Sequence, residues 1–237
     1  ANTAPAAELI TLNGLTTGLI TVTAATITGT AADVKTLFAV SNTEITGTTN
    51  KAVTLSDTTI SAADLISIDN STTAGLITHT ATTITGTAAD ITTIYSRDTG
   101  NGATITGSAD QAITVTDSTI STTSAAAINA LSDGIVTFVA TTLTGSITNN
   151  ATSLESILTL SAAGTAIAGL GGANITMAAD SNNALTAANV NTIAALTTGT
   201  ITATVTETTA TALKTINTTV HNLALTLADG TAAASDI

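Results

Sequence analysis

The chain of 237 residues contains no cysteine and no tryptophan, one proline, one tyrosine and two phenylalanines. Without cysteine there is no disulfide framework and no thiolate metal site. Four Lys and Arg stand against sixteen Asp and Glu, a net charge of −12. A basic stripe able to neutralise phosphates is missing, which excludes nucleic acid as a partner. Anionic membrane surfaces are excluded on the same ground. Apolar runs are short and broken by threonine, far below the ~20 residues of a membrane helix. The opening Ala1-Asn-Thr-Ala-Pro5 has neither a basic nor an apolar leader region, so no signal peptide is read there. The scarcity of aromatics points to a thin, regular core of aliphatic side chains.

What is abundant is small. Sixty Thr, 45 Ala and 17 Ser supply about half of the chain. With 43% hydrophobic residues and 8% charged ones, the composition is that of an ordered chain.

Internal repetition dominates. Thr26-Ile-Thr-Gly-Thr-Ala-Ala-Asp33 returns as Thr83-Ile-Thr-Gly-Thr-Ala-Ala-Asp90. Val53-Thr-Leu-Ser-Asp57 returns as Ile113-Thr-Val-Thr-Asp117, and more loosely at Ile175–Ala179 and Leu225–Asp229. Gly18-Leu-Ile-Thr21 returns at Gly75, Gly134 and Gly199. The period is about 57–65 residues. It divides the chain into units over 1–52 (partial), 53–112, 113–174 and 175–237, one continuous array. The segment Ala234-Ser-Asp-Ile237 matches Ala6-Ala-Glu-Leu9 in phase, so the chain reads as a section of a longer array or a subunit that stacks end to end.

Each period holds two helical signatures with apolar residues at i and i+3. One comprises Val34–Phe38, Ile91–Tyr95, Leu154–Leu158 and Leu213–Asn217; the other Leu9–Leu12, Leu65–Ile68, a degenerate copy at Ala127-Ile128 with Leu131, and Val190–Ile193. Thr30-x-x-Asp33, Ser61-x-x-Asp64, Thr87-x-x-Asp90 and Thr152-x-x-Glu155 resemble capping boxes. Gly18, Gly75, Gly134 and Gly199 sit where a left-handed glycine would close the second helix. Between the helices, Leu19–Thr28, Leu76–Thr85, Thr104–Thr106 and Ala112–Thr116 alternate with a period of two and read as strands. The expected fold is a mostly β repeat protein, a β-solenoid with short capped helical turns in each unit. Val34, Leu37, Ile91, Ile94, Leu213 and Ile216 are expected in its core.

No catalytic, cofactor-binding or metal-ligating residue is assigned. His79, in Thr78-His-Thr80, reads as an incidental strand residue, and neither it nor His221 has acids or cysteine at ligand spacing. Asp33, Asp64 and Asp90 are explained by capping, and Asp57 and Asp117 by turns. Calcium remains open for so acidic a chain, but the Gly-Gly-x-Gly-x-Asp motif and the EF-hand loop are absent. Thr-x-Thr pairs such as Thr26/Thr28 and Thr83/Thr85 resemble an ice-binding face, yet any alternating strand in a chain a quarter threonine supplies them.

On its repeated Thr-Ile-Thr-Gly-Thr-Ala-Ala-Asp and Val-Thr-Leu-Ser-Asp-Thr-Thr-Ile-Ser-Ala-Ala-Asp-Leu phrases, the chain resembles the very long Ala/Thr-rich repeat proteins of bacterial, notably cyanobacterial, cell surfaces. The resemblance implies an adhesin, a surface-layer or an extracellular-filament protein. The expected function is therefore non-enzymatic: a rigid, extended element of a cell-surface layer, stalk or extracellular fibre. Its partners would be copies of itself or adjacent repeats of a longer chain. The alternative is an adhesin or binding module for glycan, host surface or ice.

Overall fold

The structure is a computed structural model, and it describes residues 2–41, 43–72, 74–98, 104–147, 153–179, 184–217 and 221–227. The chain forms two compact units, one of Ala1–Val115 with Leu131–Gly134, the other of Thr116–Ala130 with Ile135–Ile237.

In the first unit the order is β1 (Thr3–Pro5), α1 (Ala6–Asn13), β2 (Ile20–Thr21), β3 (Thr26–Gly29), α2 (Ala31–Ala39), β4 (Ile45–Thr46) and β5 (Ala52–Leu55). There follow β6 (Thr59–Ser61), α3 (Ala62–Ser71), β7 (Ile77–His79), β8 (Thr83–Gly86), α4 (Ala88–Arg97), β9 (Ile105–Thr106) and β10 (Ala112–Val115). Strands β1, β3, β5, β7 and β9 lie side by side, as do β6, β8 and β10, and β2 pairs with β4. Every pairing is parallel. Each helix packs on the next, from α1 to α4.

The second unit runs β11 (Thr119–Ser121), α5 (Thr122–Asn129), β12 (Val136–Phe138), β13 (Thr142–Ser146), α6 (Leu154–Ala163) and β14 (Ile167–Ala168). It ends with β15 (Asn174–Ala178), α7 (Ala187–Ala194), β16 (Ile201–Glu207), α8 (Ala210–Leu213) and β17 (Asn222–Leu227). Here β11, β13, β15, β16 and β17 are neighbours and β12 pairs with β14, again in parallel.

This is an α/β fold of strands alternating with helices, and it overturns the expectation of a mostly β solenoid. The helical segments are not single turns. Seven of the eight described helices run eight to ten residues, and together the helices hold slightly more residues than the strands. Four of them present a buried row at i, i+3 and i+6: Ala31, Val34 and Leu37 in α2; Ala62, Leu65 and Ile68 in α3; Thr122, Ala125 and Ile128 in α5; Ala187, Val190 and Ile193 in α7. That row docks the helix on the sheet layer, and packing rather than propensity holds helices of this length.

Registers in the sheets stack like on like. Ile27, Val53, Ile77 and Ile105 occupy one row across β3, β5, β7 and β9, all fully buried. Ile120, Leu143, Ile175 and Ile201 form the equivalent row in the second unit. The long strands expected over Leu19–Thr28 and Leu76–Thr85 each break in two. Val22 and Ile27 are both buried although they are five positions apart. A continuous pleat would put them on opposite faces, so the chain turns a corner between them.

Glycines play a different part from the one expected. Gly18, Gly75, Gly134 and Gly199 are not among the described glycines with positive φ. At the last three a Cβ would lie 1.9 Å from the Lys51 carbonyl oxygen, 2.4 Å from that of Gln111 and 2.0 Å from that of Ala173. They permit close contact with the neighbouring strand's backbone rather than closing a helix.

Val34, Leu37, Ile91 and Ile94 are fully buried, as expected. Leu213 and Ile216 are only half-buried. Helix α8 has four residues and no buried side chain, and Ile216 lies beyond it.

Candidate functional site

Capping accounts for the repeated acids. Asp33, Asp64 and Asp90 are each the third residue of a helix, and their backbone N–H groups donate to Thr30, Ser61 and Thr87 at 3.2, 3.4 and 3.2 Å. The Asp33 and Asp90 carboxylates accept the cap hydroxyls at 2.8 and 2.9 Å, and Asp64 pairs with Lys35. A capping box closed by the third residue's side chain on the cap N–H forms at Thr186 and Asn189 in α7. The fourth expected cap shifts by one: Ser153 caps α6, and Thr152 lies outside the described residues, as do Asp229 and 234–237. Asp57 is more than a turn residue. Its carboxylate accepts the Ala31 N–H at 2.8 Å, so it caps a helix of the preceding strand step. Glu207 does the same for Ala187 at 2.7 Å. Among the described residues no three His, Cys, Asp or Glu side chains gather as a metal site would require.

A buried polar cluster that includes an ionisable imidazole lies in the first unit. His79 ends β7 and is 3% exposed; Ser108, fully buried, lies 3.1 Å from its Nε2. The Ser108 N–H donates to Asp98, the residue just after α4, at 2.6 Å. His79 Nδ1 and the Tyr95 hydroxyl are buried with no hydrogen-bond partner. Burial lowers the His79 pKa below 6.5, and the Asp98 carboxylate opposes this with a smaller effect. Burial raises the Tyr95 pKa; the Ser132 hydroxyl, close by but not in hydrogen-bond geometry, acts against it, and Asp98 and Asp110 act with burial. Ser132 itself donates to the Gln111 carbonyl at 2.6 Å and accepts the Gly134 N–H at 3.0 Å.

His79 is therefore a core residue, not an incidental one. The signal in the sequence is its place two residues after Ile77, which an alternating strand puts on the same face. Ser, His and Asp are all present, but not as a hydrolytic triad. Asp98 holds the serine's backbone instead of orienting the imidazole, and the serine hydroxyl is sealed from any substrate. His221 is separate: its Nδ1 accepts the Ile201 N–H at 3.4 Å.

Two surface features remain. In the second unit Asn191, Thr197, Thr200, Asn217 and His221 line a polar hollow of ≈ 420 Å³. Its polar atoms are largely engaged: Asn191 bonds the Thr215 carbonyl and the Asn217 N–H, and Thr197 bonds the Ala173 carbonyl. In the first unit, Leu12, Leu15 and Leu19 are 47%, 79% and 63% exposed. They lie along α1 and the segment that leads to β2. Strands β1 and β2 and helix α1 pack on β3, β4 and α2 on one side. Among the described residues nothing pairs with the other side. No described helix is long and apolar enough to cross a membrane.

Compared with known proteins, the chain matches no family model, no curated protein and no solved structure.

Proposed function

We propose that the chain is a non-enzymatic structural protein that builds an extended element by taking further parallel turns onto its open β1–α1–β2 side. Those turns come from copies of itself or from adjacent repeats of a longer chain. The observation that carries this reading is the uncovered side of the first turn. It offers an unpaired strand edge beside three exposed leucines. Patches of this kind mark interaction surfaces. Within the unit the same kinds of element, two strands and a helix, are each covered by the next turn in parallel register. Covering the leucines would contribute roughly 25 cal/mol per Å² of apolar surface removed from water.

Charge sets the conditions. At −12 per chain, copies repel one another, and salt screens that repulsion over about 10 Å at 0.1 M. The test is sedimentation and electron microscopy of the purified chain over a range of concentration and salt. Rods or oligomers that grow with both, and that shrink in Leu12→Glu/Leu15→Glu, support the reading. A single monodisperse species under all conditions, identical in the variant, would overturn assembly from copies. The binding-module alternative has less behind it, because the polar atoms of the Asn191–His221 hollow already bond within the chain.

A further inference from the structure

The same turn occurs three times. Gly47, Gly107 and Gly169 have φ of 75°, 110° and 91°. At each, a Cβ would come within 2.5, 2.4 and 2.1 Å of one carbonyl oxygen, that of Val22, His79 and Phe138 respectively. The residue after each glycine is Thr48, Ser108 or Leu170, all fully buried. The end of the helix before each turn, or the residues just past it, tie the turn down through Ser41 to Thr48, through Asp98 to the Ser108 N–H, and through Ser161 to the Leu170 N–H at 3.0 Å. One structural site is thus filled by Val22 with Thr48, by His79 with Ser108, and by Phe138 with Leu170. The middle copy alone carries an ionisable side chain at the strand position.

We propose that the His79–Ser108 pair is a proton-sensitive joint: mild acid charges His79 and loosens the β7–β9 region of the first unit, while the turn built on Phe138 and Leu170 stays closed. An imidazolium has two N–H donors and needs two acceptors. Ser108 Oγ can serve Nε2, but Nδ1 has no partner. Around His79, β5 contributes Leu55 in register, the turn contributes Gly107 and Ser108, and Asp98 comes from just after α4. Asp98 is the titratable group among them, and it already accepts the Ser108 N–H. Opening the joint frees Nδ1 to reach water.

The direction of the linkage follows. The folded chain holds His79 neutral with a pKa below 6.5, and the unfolded segment takes up the proton first. Stability is complete above 6.5 and is lost as pH falls through 6.5 toward the folded value. Local opening can increase by at most about tenfold per pH unit in that window.

The test is amide hydrogen exchange on the full chain at about pH 7.5 and 5.5, corrected for the intrinsic rates. The readout lies within one chain and is independent of assembly. Exchange over 77–79 and 105–108 is expected to accelerate several-fold more than over 136–138 and 167–170. In His79→Phe/Ser108→Leu, which copies the Phe138 and Leu170 pair, that excess disappears. Equal acceleration in both regions, or an excess that survives in the variant, overturns the proposal. If the variant does not fold, imidazole NMR of the unaltered chain decides. His79 must titrate below 6.5, with the β7 and β9 amides moving at the same midpoint; titration at or above 6.5 overturns it.

Discussion

The Asp57 carboxylate accepts the backbone N–H of Ala31, 26 residues earlier, at 2.8 Å. The first amide of α2 is thereby satisfied by the next strand step rather than by its own. Local capping by Thr30 and stacking of one step on the next meet at a single helix end, where a negative charge is also favoured by the helix dipole. Asp57→Ala removes the acceptor and is expected to cost about 1 kcal/mol, while Asp57→Asn retains an acceptor and costs less. Urea denaturation of both variants checks this. Equal losses would mean that charge alone matters.

The close-approach glycines give a steric prediction. At Gly75 a Cβ would stand 1.9 Å from the Lys51 carbonyl oxygen, whereas at Gly171 it meets nothing within 4 Å. Gly75→Ala must push two strands apart and is expected to cost about 1–3 kcal/mol, as overpacking does. Gly171→Ala is expected to stay within about 0.5 kcal/mol of the parent. The pair of denaturation midpoints separates backbone contact from the general effect of replacing a glycine.

Much of this arrangement was legible as residues and less of it as layers. The helix starts at Thr30, Ser61 and Thr87 and the buried Val34, Leu37, Ile91 and Ile94 follow from capping chemistry and i, i+3 spacing. The extent of the helices does not, because threonine reads as a strand former. Inside a helix its hydroxyl returns to the carbonyl four residues back, as Thr36 does to Ala32 at 2.9 Å and Thr92 to Ala88 at 2.8 Å. The balance therefore tips from mostly β to α/β. Corners such as Val22 to Ile27 are hidden because threonine and alanine continue through them without a proline. Asp57's partner and the Gly75 contact involve a neighbouring strand step, and nothing local announces them. For the buried cluster, the His79 position was visible in the alternation after Ile77, but Ser108 and Asp98 come together only through the turn at Gly107.

Core depth differs between repeats that look alike in sequence. Val34 and Leu37 in α2 are fully buried, while Leu213 in α8, which stands at the position of Val34 in the repeat, is half-exposed on a four-residue helix. Leu37→Ala is expected to cost about 2–5 kcal/mol through lost burial and the cavity it leaves. Leu213→Ala is expected to cost under about 1 kcal/mol, in the range of surface changes. Denaturant titration of the two variants side by side tests whether the repeats are energetically uneven; comparable losses would place α8 in a core as tight as that around α2.

Tyr95 offers the sharpest pH-dependent case outside the histidine. Its hydroxyl is buried without a hydrogen-bond partner, a situation that costs free energy. Tyr95→Phe keeps the ring and removes the orphaned group, so stability at neutral pH is expected to be unchanged or higher by up to about 1 kcal/mol. Burial also raises the folded-state pKa above 10.0. The phenol is neutral when protonated, so the unfolded chain loses its proton first as pH rises. Stability is complete below 10 and declines above it toward the folded value. The phenylalanine variant lacks this decline. Its thermal midpoint is expected to hold up better than the parent's between about pH 9.5 and 11, a window that lysines share equally in both proteins. An identical alkaline loss in the two would mean that the Tyr95 hydroxyl reaches water in the folded chain.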